Sequence, residues 1–155
     1  MAKLLIIDVD GVMTNGTKVY DEYGKIVYKS FHDYDKTAIR RFKAAEWNVC
    51  ALTADPFNKG FLQSINVDFY ITEEDKSPLL PILQERYQIS LEDIYFIGDS
   101  YFDLSFFELI PEGNRYCPLS AEYCVGSVVP PRNVISRNGG TGILEVLFEL
   151  LGGRA

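Results

Sequence analysis

Short apolar runs alternate with amphipathic stretches along most of the chain. The runs at 3–9, Asn48–Thr53, 68–72 and 94–98 are continuous and apolar, as in strands buried on both faces of a parallel sheet. The stretches between them repeat apolar residues at helical spacing. This alternation predicts an α/β fold: a Rossmann-like, mostly parallel sheet flanked by helices.

Capping residues and prolines mark where the helices should begin. A short polar side chain followed by proline at the first helical position is a common helix start. The chain carries this signal twice, and an acidic segment precedes its first amphipathic stretch. Helices are expected from Asp33 or Asp35 to about residue 46, after Asp55-Pro56, after Ser77-Pro78, after Asp99, and over 142–151.

A β-hairpin is predicted directly after the first strand. The β-rich runs 17–20 and 26–31 are separated by the turn-forming segment 21–25. The hairpin would form a small flap, and the later intervals between motifs are too short for a large cap domain. Further short strands are expected near 114–117 and 127–129. Without a linker or repeat, residues 1–155 are predicted to form a single domain.

Composition narrows the classes of partner. The formal net charge of −7 argues against nucleic acid, whose binding proteins normally present excess Lys and Arg. No apolar stretch approaches the roughly 20 residues needed to span a membrane. Three cysteines lack ligand spacing and are interpreted as free thiols in a reducing compartment. A cytoplasmic location is therefore expected.

Polar residues follow several of the predicted strands. Asp8, Thr53 and Asp99 each stand at the carboxyl end of an apolar run, and Lys76 stands just before a predicted helix. Ligands of open parallel sheets bind beyond the carboxyl ends of the strands. These four residues are therefore expected to meet at one edge of the sheet.

Two carboxylates, Asp8 and Asp10, leave the first strand two residues apart. Crowded oxygen ligands favour Mg²⁺, held by Asp8, by a backbone carbonyl near Asp10 and by Asp99. These groups suit a phosphate ester as small-molecule substrate, because a fixed carboxylate, a metal and a proton donor address its charge and its poor leaving group. Asp8 is predicted to be the nucleophile. Asp10 is predicted to protonate the leaving oxygen and later to activate water.

The remaining candidates surround the phosphate. The Thr53 hydroxyl and the following helix start can contact the phosphoryl oxygens, and Lys76 supplies positive charge. Asp103, four residues after Asp99, is expected to orient water or Asp99 without binding the metal itself. Taken singly, each signal is weak, since a DxDG turn is often only solvated and a lone lysine usually lies at the surface. Their order along the strand ends favours the catalytic interpretation.

Four segments, DVDGVMTNG, LTAD, DKSP and GDSYFDL, resemble the ordered motifs of the haloacid dehalogenase superfamily. The chain is most similar there to small, capless phosphatases of sugar acids. The resemblance implies Mg²⁺-dependent hydrolysis through an aspartyl phosphate, on a sugar acid such as 3-deoxy-D-manno-octulosonate 8-phosphate or a nonulosonate 9-phosphate. It also implies a homo-oligomer, typically a tetramer, in which neighbouring subunits cover the pocket.

The chain departs from that pattern in three segments, 32–36, 54–55 and 139–142. Ala54-Asp55 stands where the family usually has Gly-Arg, and Thr141 stands where it has arginine. The exact sugar acid therefore does not follow. His32, the only histidine, is interpreted as a residue of the flap or helix start and not as a catalyst.

Two alternatives remain beside the enzyme. The lost basic residues would suit a non-catalytic module that binds phosphate or a partner. A response-regulator receiver fits poorly, because its phosphoacceptor lies on a later strand. Aromatic residues of the hairpin form either a subunit contact or an ordinary hydrophobic face: Tyr20, Tyr23, Tyr28 and Phe31.

Overall fold

Residues 2–151 are described by a computed structural model, and within them lie eight strands and five α-helices. The strands are β1 (Leu4–Asp8), β2 (Val19–Tyr20), β3 (Ile26–Tyr28), β4 (Asn48–Thr53), β5 (Asp68–Ile71), β6 (Ile94–Ile97), β7 (Arg115–Pro118) and β8 (Val134–Ile135). The helices are α1 (Asp33–Ala44), α2 (Lys59–Ser64), α3 (Leu79–Tyr87), α4 (Leu104–Phe107) and α5 (Ile143–Leu151).

Six strands form one parallel sheet in the order β5-β4-β1-β6-β7-β8. β1 is central, and Ile7 lies opposite Ala51 of β4 and Ile97 of β6. Every residue of β1 is buried, because helices cover both faces of the sheet. The predicted α/β architecture is confirmed.

The core is divided between the two faces of the sheet. Leu5 and Ile7 point to one face and pack with Phe42 of α1 and Leu144 of α5. On the other face, a second cluster surrounds Phe96. Successive residues of a strand point to opposite faces, so an unbroken apolar sequence supplies both clusters at once. β1 is thereby fixed in the middle of the core, which holds its last residue in a rigid position.

The first helix begins differently from the prediction. Its N-cap is His32, whose Nδ1 accepts a hydrogen bond from the Tyr34 amide at 3.1 Å, so capping by Asp33 or Asp35 is wrong. Asp35 instead turns inward and accepts a hydrogen bond from the amide of Leu144 at 3.0 Å. A buried carboxylate of α1 thus satisfies an amide in the first turn of α5.

The two cap-then-proline signals have different outcomes. Asp55 caps as predicted, because its carboxylate accepts from the Phe57 amide at 3.0 Å and a 3₁₀ turn leads into α2. The cap at Ser77 is wrong, since α3 begins at Leu79. The hydroxyl of Ser77 donates instead to Asp75 at 2.7 Å and stabilises the loop before the helix.

The predicted hairpin is confirmed as the antiparallel pair β2 and β3, and the described segment between β1 and α1 holds no larger insertion. The strand expected at 127–129 is wrong. Ser127 ends a 3₁₀ turn, and the edge of the sheet is formed by β8, with Val134 opposite Cys117. None of the helices within residues 2–151 combines the length and apolarity needed to cross a bilayer.

Candidate active site

The strand order brings the predicted residues to one edge of the sheet. Asp8 ends β1, Thr53 ends the neighbouring β4, and Asp99 follows β6 on the other side. Lys76 lies in the loop after β5 and reaches across to Asp8, with 3.4 Å between its Nζ and Asp8 Oδ1. The four residues expected to meet do so.

Three carboxylates gather around the end of β1. Asp8, Asp99 and Asp103 each offer an oxygen, and these oxygens lie within 4.8 Å of one another. Lys76 lies 2.6 Å from Asp103 and is the cation of this cluster. Three acids and one ammonium leave excess negative charge in a largely buried site, which a divalent cation would offset.

Asp103 contacts both Lys76 and the turn that carries Asp99. Its side chain is fully buried, and one oxygen accepts the contact from Lys76. The other accepts hydrogen bonds from the amides of Asp99 and Ser100 at 3.0 and 3.2 Å. Asp103 therefore holds both the lysine and the turn that carries Asp99.

The orientation of Asp99 fits a metal ligand. Its Oδ1 is buried and has no hydrogen-bond partner among the described residues. Gly11 permits its approach, because a Cβ at that position would lie 1.6 Å from Asp99 Oδ2. The φ of +85° at Gly11 also favours glycine. A buried oxygen without a partner, beside two more acids, suits a hard cation.

Burial controls the electrostatics of the cluster. It raises the pKa of Asp8 well above its ordinary range, and Asp103 adds to the effect while Lys76 opposes it. It also raises the pKa of Asp99 to about 6. For Lys76, burial disfavours the ammonium, but Asp8 and Asp103 outweigh it and raise its pKa. Lys76 is therefore charged at neutral pH, whereas burial disfavours the charged forms of Asp8 and Asp99.

Asp10 turns away from this cluster. Its carboxylate lies 2.8 and 2.9 Å from Nζ of Lys29 and 3.0 Å from Nδ2 of Asn58. The Thr14 hydroxyl donates a fourth contact at 3.3 Å. Asp103, and not Asp10, thus supplies the third side-chain carboxylate of the acid cluster. From the sequence, a backbone carbonyl near Asp10, and not its side chain, is predicted to bind the metal. This remains a prediction.

Thr53 is oriented to donate toward the cavity. Its hydroxyl oxygen accepts hydrogen bonds from Nδ2 of Asn58 at 2.9 Å and from the Asp55 amide at 3.2 Å. Both lone pairs are then occupied, so the hydroxyl proton is available to an anion. The side chain is buried but lines the cavity beside Asp8, as a phosphate ligand requires.

A cavity of about 530 Å³ opens above these groups. Asp8, Asp10, Thr53, Lys76 and Asp99 line its floor. Its mouth is mixed in character, with apolar, acidic and basic side chains, and its volume is of the size that holds a small-molecule ligand. The mouth residues include Lys18, Ile26, Asp55, Pro56, Glu74 and Phe102.

Sequence reasoning missed Lys29 and Asn58. Lys29 follows two exposed hairpin residues, and local alternation gave no sign that its side chain would be fully buried. One signal was available in Asp55. This acid stands in a segment that departs from the pattern of the resembling family, and Lys29 lies 2.6 Å from it.

No protein-family profile matches the chain, but individual known proteins are similar to it. It is 27% identical over 152 residues to the 3-deoxy-D-manno-octulosonate 8-phosphate phosphatase KdsC of Haemophilus influenzae, covering 96% of this chain and 82% of that protein. The solved cobalt-bound form of the phosphatase from that organism is 26% identical, with a TM-score of 0.85 and coverage of 96% and 86%. In both sequence and fold, the chain is therefore similar to 3-deoxy-D-manno-octulosonate 8-phosphate phosphatases.

Other solved structures share the haloacid dehalogenase fold at lower identity. One from Streptomyces avermitilis, described as a hydrolase of that family, has a TM-score of 0.86 at 21% identity. The match covers 98% of this chain and 86% of the Streptomyces chain. The Moraxella catarrhalis 3-deoxy-D-manno-octulosonate 8-phosphate phosphatase, solved with magnesium, phosphate and the sugar acid, has a TM-score of 0.83 at 20% identity, with coverage of 96% and 84%. The predicted resemblance is confirmed.

Proposed function

We propose that this chain is a Mg²⁺-dependent phosphatase that hydrolyses a phosphorylated sugar acid through an aspartyl-phosphate intermediate. The observation that carries the proposal is the position of Asp8. It faces a cavity between the ammonium of Lys76, the hydroxyl of Thr53 and the carboxylate of Asp99. A nucleophile, an anion-binding pair and a cation site therefore converge at one point.

In the first half-reaction, a carboxylate oxygen of Asp8 forms a bond to phosphorus as the bond to the substrate oxygen breaks. Asp10 donates its proton to that leaving oxygen, which departs as an alcohol. Thr53 and Lys76 donate hydrogen bonds to the phosphoryl oxygens, and the Lys76 ammonium offsets part of their negative charge.

In the second half-reaction, Asp10 removes a proton from water, and the water oxygen forms a bond to phosphorus. The bond from phosphorus to Asp8 breaks, which releases inorganic phosphate and restores both aspartates. One side chain serves both half-reactions because the proton lost in the first is regained in the second.

Asp8 and Asp99, with a backbone carbonyl near Asp10, would hold the cation. When bound, it supplies positive charge that lets an anionic substrate approach the carboxylates. Asp103 keeps Asp99 and Lys76 in place from outside the ligand set. The excess negative charge of the cluster and the partnerless oxygen of Asp99 support this assignment.

A sugar acid is proposed as the substrate because the relatives with 26 and 27% identity are named for one. The direct experiment is a phosphate-release screen with Mg²⁺ over sugar-acid phosphates, other sugar phosphates and nucleotides. The proposal expects 3-deoxy-D-manno-octulosonate 8-phosphate or a related sugar-acid phosphate to be hydrolysed best. Preference for nucleotides would contradict the substrate class.

Asp8→Asn provides the matched loss of function, since it removes the nucleophile with little change in volume. Asp33→Asn is the control, because the Asp33 side chain is 89% exposed on α1. The first variant should lose turnover and the second should keep it. A wild-type protein that binds phosphate and Mg²⁺ but hydrolyses nothing would instead be a non-catalytic phosphate-binding module.

We also infer that the exposed hairpin packs against another copy of the chain, as a homotetramer. Tyr20, Tyr23 and Tyr28 are 55, 87 and 58% exposed, and such a cluster of aromatic side chains favours a protein contact. Light scattering of the wild type and of Tyr20→Ser/Tyr28→Ser tests the inference. A monomeric wild type would contradict it.

A further inference from the structure

A lysine of the hairpin segment is buried directly beneath the proposed acid. The Lys29 side chain has no exposed surface, although it follows β3, whose last two residues are exposed. Its Nζ lies 2.8 and 2.9 Å from the two oxygens of Asp10, 2.6 Å from Asp55 and 3.0 Å from Oδ1 of Asn58. Three side chains therefore accept from the three N–H groups of one ammonium.

These contacts determine how the Asp10 carboxylate is oriented. The Asp10 side chain is 26% exposed at the cavity, so the cavity alone does not confine it. Lys29 contacts both of its oxygens, and Asn58 donates to one of them at 3.0 Å. Asn58 donates at the same time to Thr53, which ties the acid to the phosphate-binding hydroxyl.

The positive charge of Lys29 is shared between Asp10 and Asp55. Its shortest contact, 2.6 Å, is to Asp55. Lys18 approaches Asp55 more loosely, at 3.7 Å. Because Asp55 takes much of the charge, Lys29 serves Asp10 mainly as a fixed hydrogen-bond donor. Asp55 thus holds this lysine through one carboxylate oxygen, while the other oxygen caps the turn that leads into α2.

We propose that Lys29 is a positioning residue that, with Asn58, holds the Asp10 side chain where its protonated form can protonate the leaving oxygen. The inference rests on the proposed phosphatase function and deepens it. A side chain that only anchored the hairpin would make the same contact with Asp55 but would need no contact with both oxygens of Asp10.

A misplaced acid has a kinetic signature that a loosened hairpin lacks. A sugar alkoxide is a poor leaving group and needs the proton, whereas the phenolate of p-nitrophenyl phosphate departs without one. The value of kcat/KM reports phosphoryl transfer to Asp8 and excludes later hydrolysis of the intermediate. Loss of positioning should therefore lower kcat/KM selectively for the sugar phosphate.

The test compares Lys29→Met with Lys25→Met, the same change at an exposed lysine of the same hairpin. The substrates are p-nitrophenyl phosphate and the sugar phosphate that the wild type hydrolyses best. For Lys29→Met, kcat/KM should fall about 100-fold or more on the sugar phosphate and less than about tenfold on the aryl phosphate. Lys25→Met should match the wild type on both. Equal losses on the two substrates would overturn the inference.

A second variant keeps the test decisive if Lys29→Met does not fold. Asn58→Ser removes a second donor to Asp10 without removing a charge, and thermal melting checks its fold. It should show a weaker loss with the same selectivity for the sugar phosphate, and an unselective loss would overturn the inference. A wild type that hydrolyses neither substrate would refute the phosphatase function itself, which separates the two failures.

Discussion

The buried carboxylate that joins α1 to α5 should make the protein less stable as the pH rises. Burial raises the pKa of Asp35 from its ordinary 3.8 to about 7, although the Leu144 amide and Arg137 favour the charged form, while Glu145 disfavours it. Its Oδ2 has no partner among the described residues. Folding must therefore bury a charge at neutral pH that it does not bury in acid.

The sign and size of the effect follow from linkage. Between pH 3.8 and 7 the unfolded chain releases the Asp35 proton and the folded chain keeps it, so the free energy of unfolding falls as pH rises. The whole effect is about 4 kcal/mol, because each tenfold change in an equilibrium is about 1.4 kcal/mol. From pH 5 to pH 8 the expected loss is about 3 kcal/mol. Asp35→Asn removes this loss but keeps an oxygen for the Leu144 amide.

Urea denaturation of both proteins at pH 5, 6, 7 and 8 measures the effect. The free energy of unfolding of Asp35→Asn, relative to the wild type, should rise by about 3 kcal/mol across this range and level off above pH 7. Contributions of the active-site acids cancel in the difference. Asp33→Asn should follow the wild type, since that side chain is 89% exposed. A constant difference for Asp35→Asn would refute the account of this carboxylate.

Two further perturbations test the site. Mg²⁺ should raise the melting temperature of the wild type, because a bound cation stabilises the folded state. The same addition should shift the melting temperature of Asp99→Asn very little. Equal shifts in the two proteins would contradict the assignment of Asp99 as a metal ligand. Gly139→Ala should lower both melting temperature and kcat/KM, because a Cβ there would lie 1.9 Å from the carbonyl oxygen of Gly11, in the loop that carries Asp10. Gly126→Ala, with no atom within 4 Å of its Cβ, is the control, and equal behaviour of the two variants would contradict the packing argument.

The central strands of the sheet could be predicted, because burial on both faces requires apolar residues at every position. β1, β4 and β6 are covered on both faces, so each had to be an apolar run, and the polar residues just beyond them stood out. The edge was not predictable in this way. β8 has only two residues, and it forms a strand only by pairing with β7. The apolar residues near 128 lie in and beside a turn, from which their side chains pack into the core.

The acid cluster could be anticipated because parallel strands end at one edge, but its charge balance could not. The contact between Lys29 and Asp10 joins residues 19 apart through a hairpin whose packing direction no local pattern encodes. The inward turn of Asp35 depends in the same way on a helix that begins 108 residues later. Side chains that serve a distant partner therefore escaped prediction, while those at strand ends did not.

The central claim is that Asp8 carries the phosphoryl group between the two half-reactions. Acid quench of the enzyme during turnover, borohydride reduction and peptide mass spectrometry would locate an acyl phosphate, because reduction converts that aspartate to homoserine. Homoserine at position 8 in the wild type, and at no other aspartate, is the predicted result. Steady phosphate release with aspartate unchanged at position 8, or with the modification at another residue, would contradict the account.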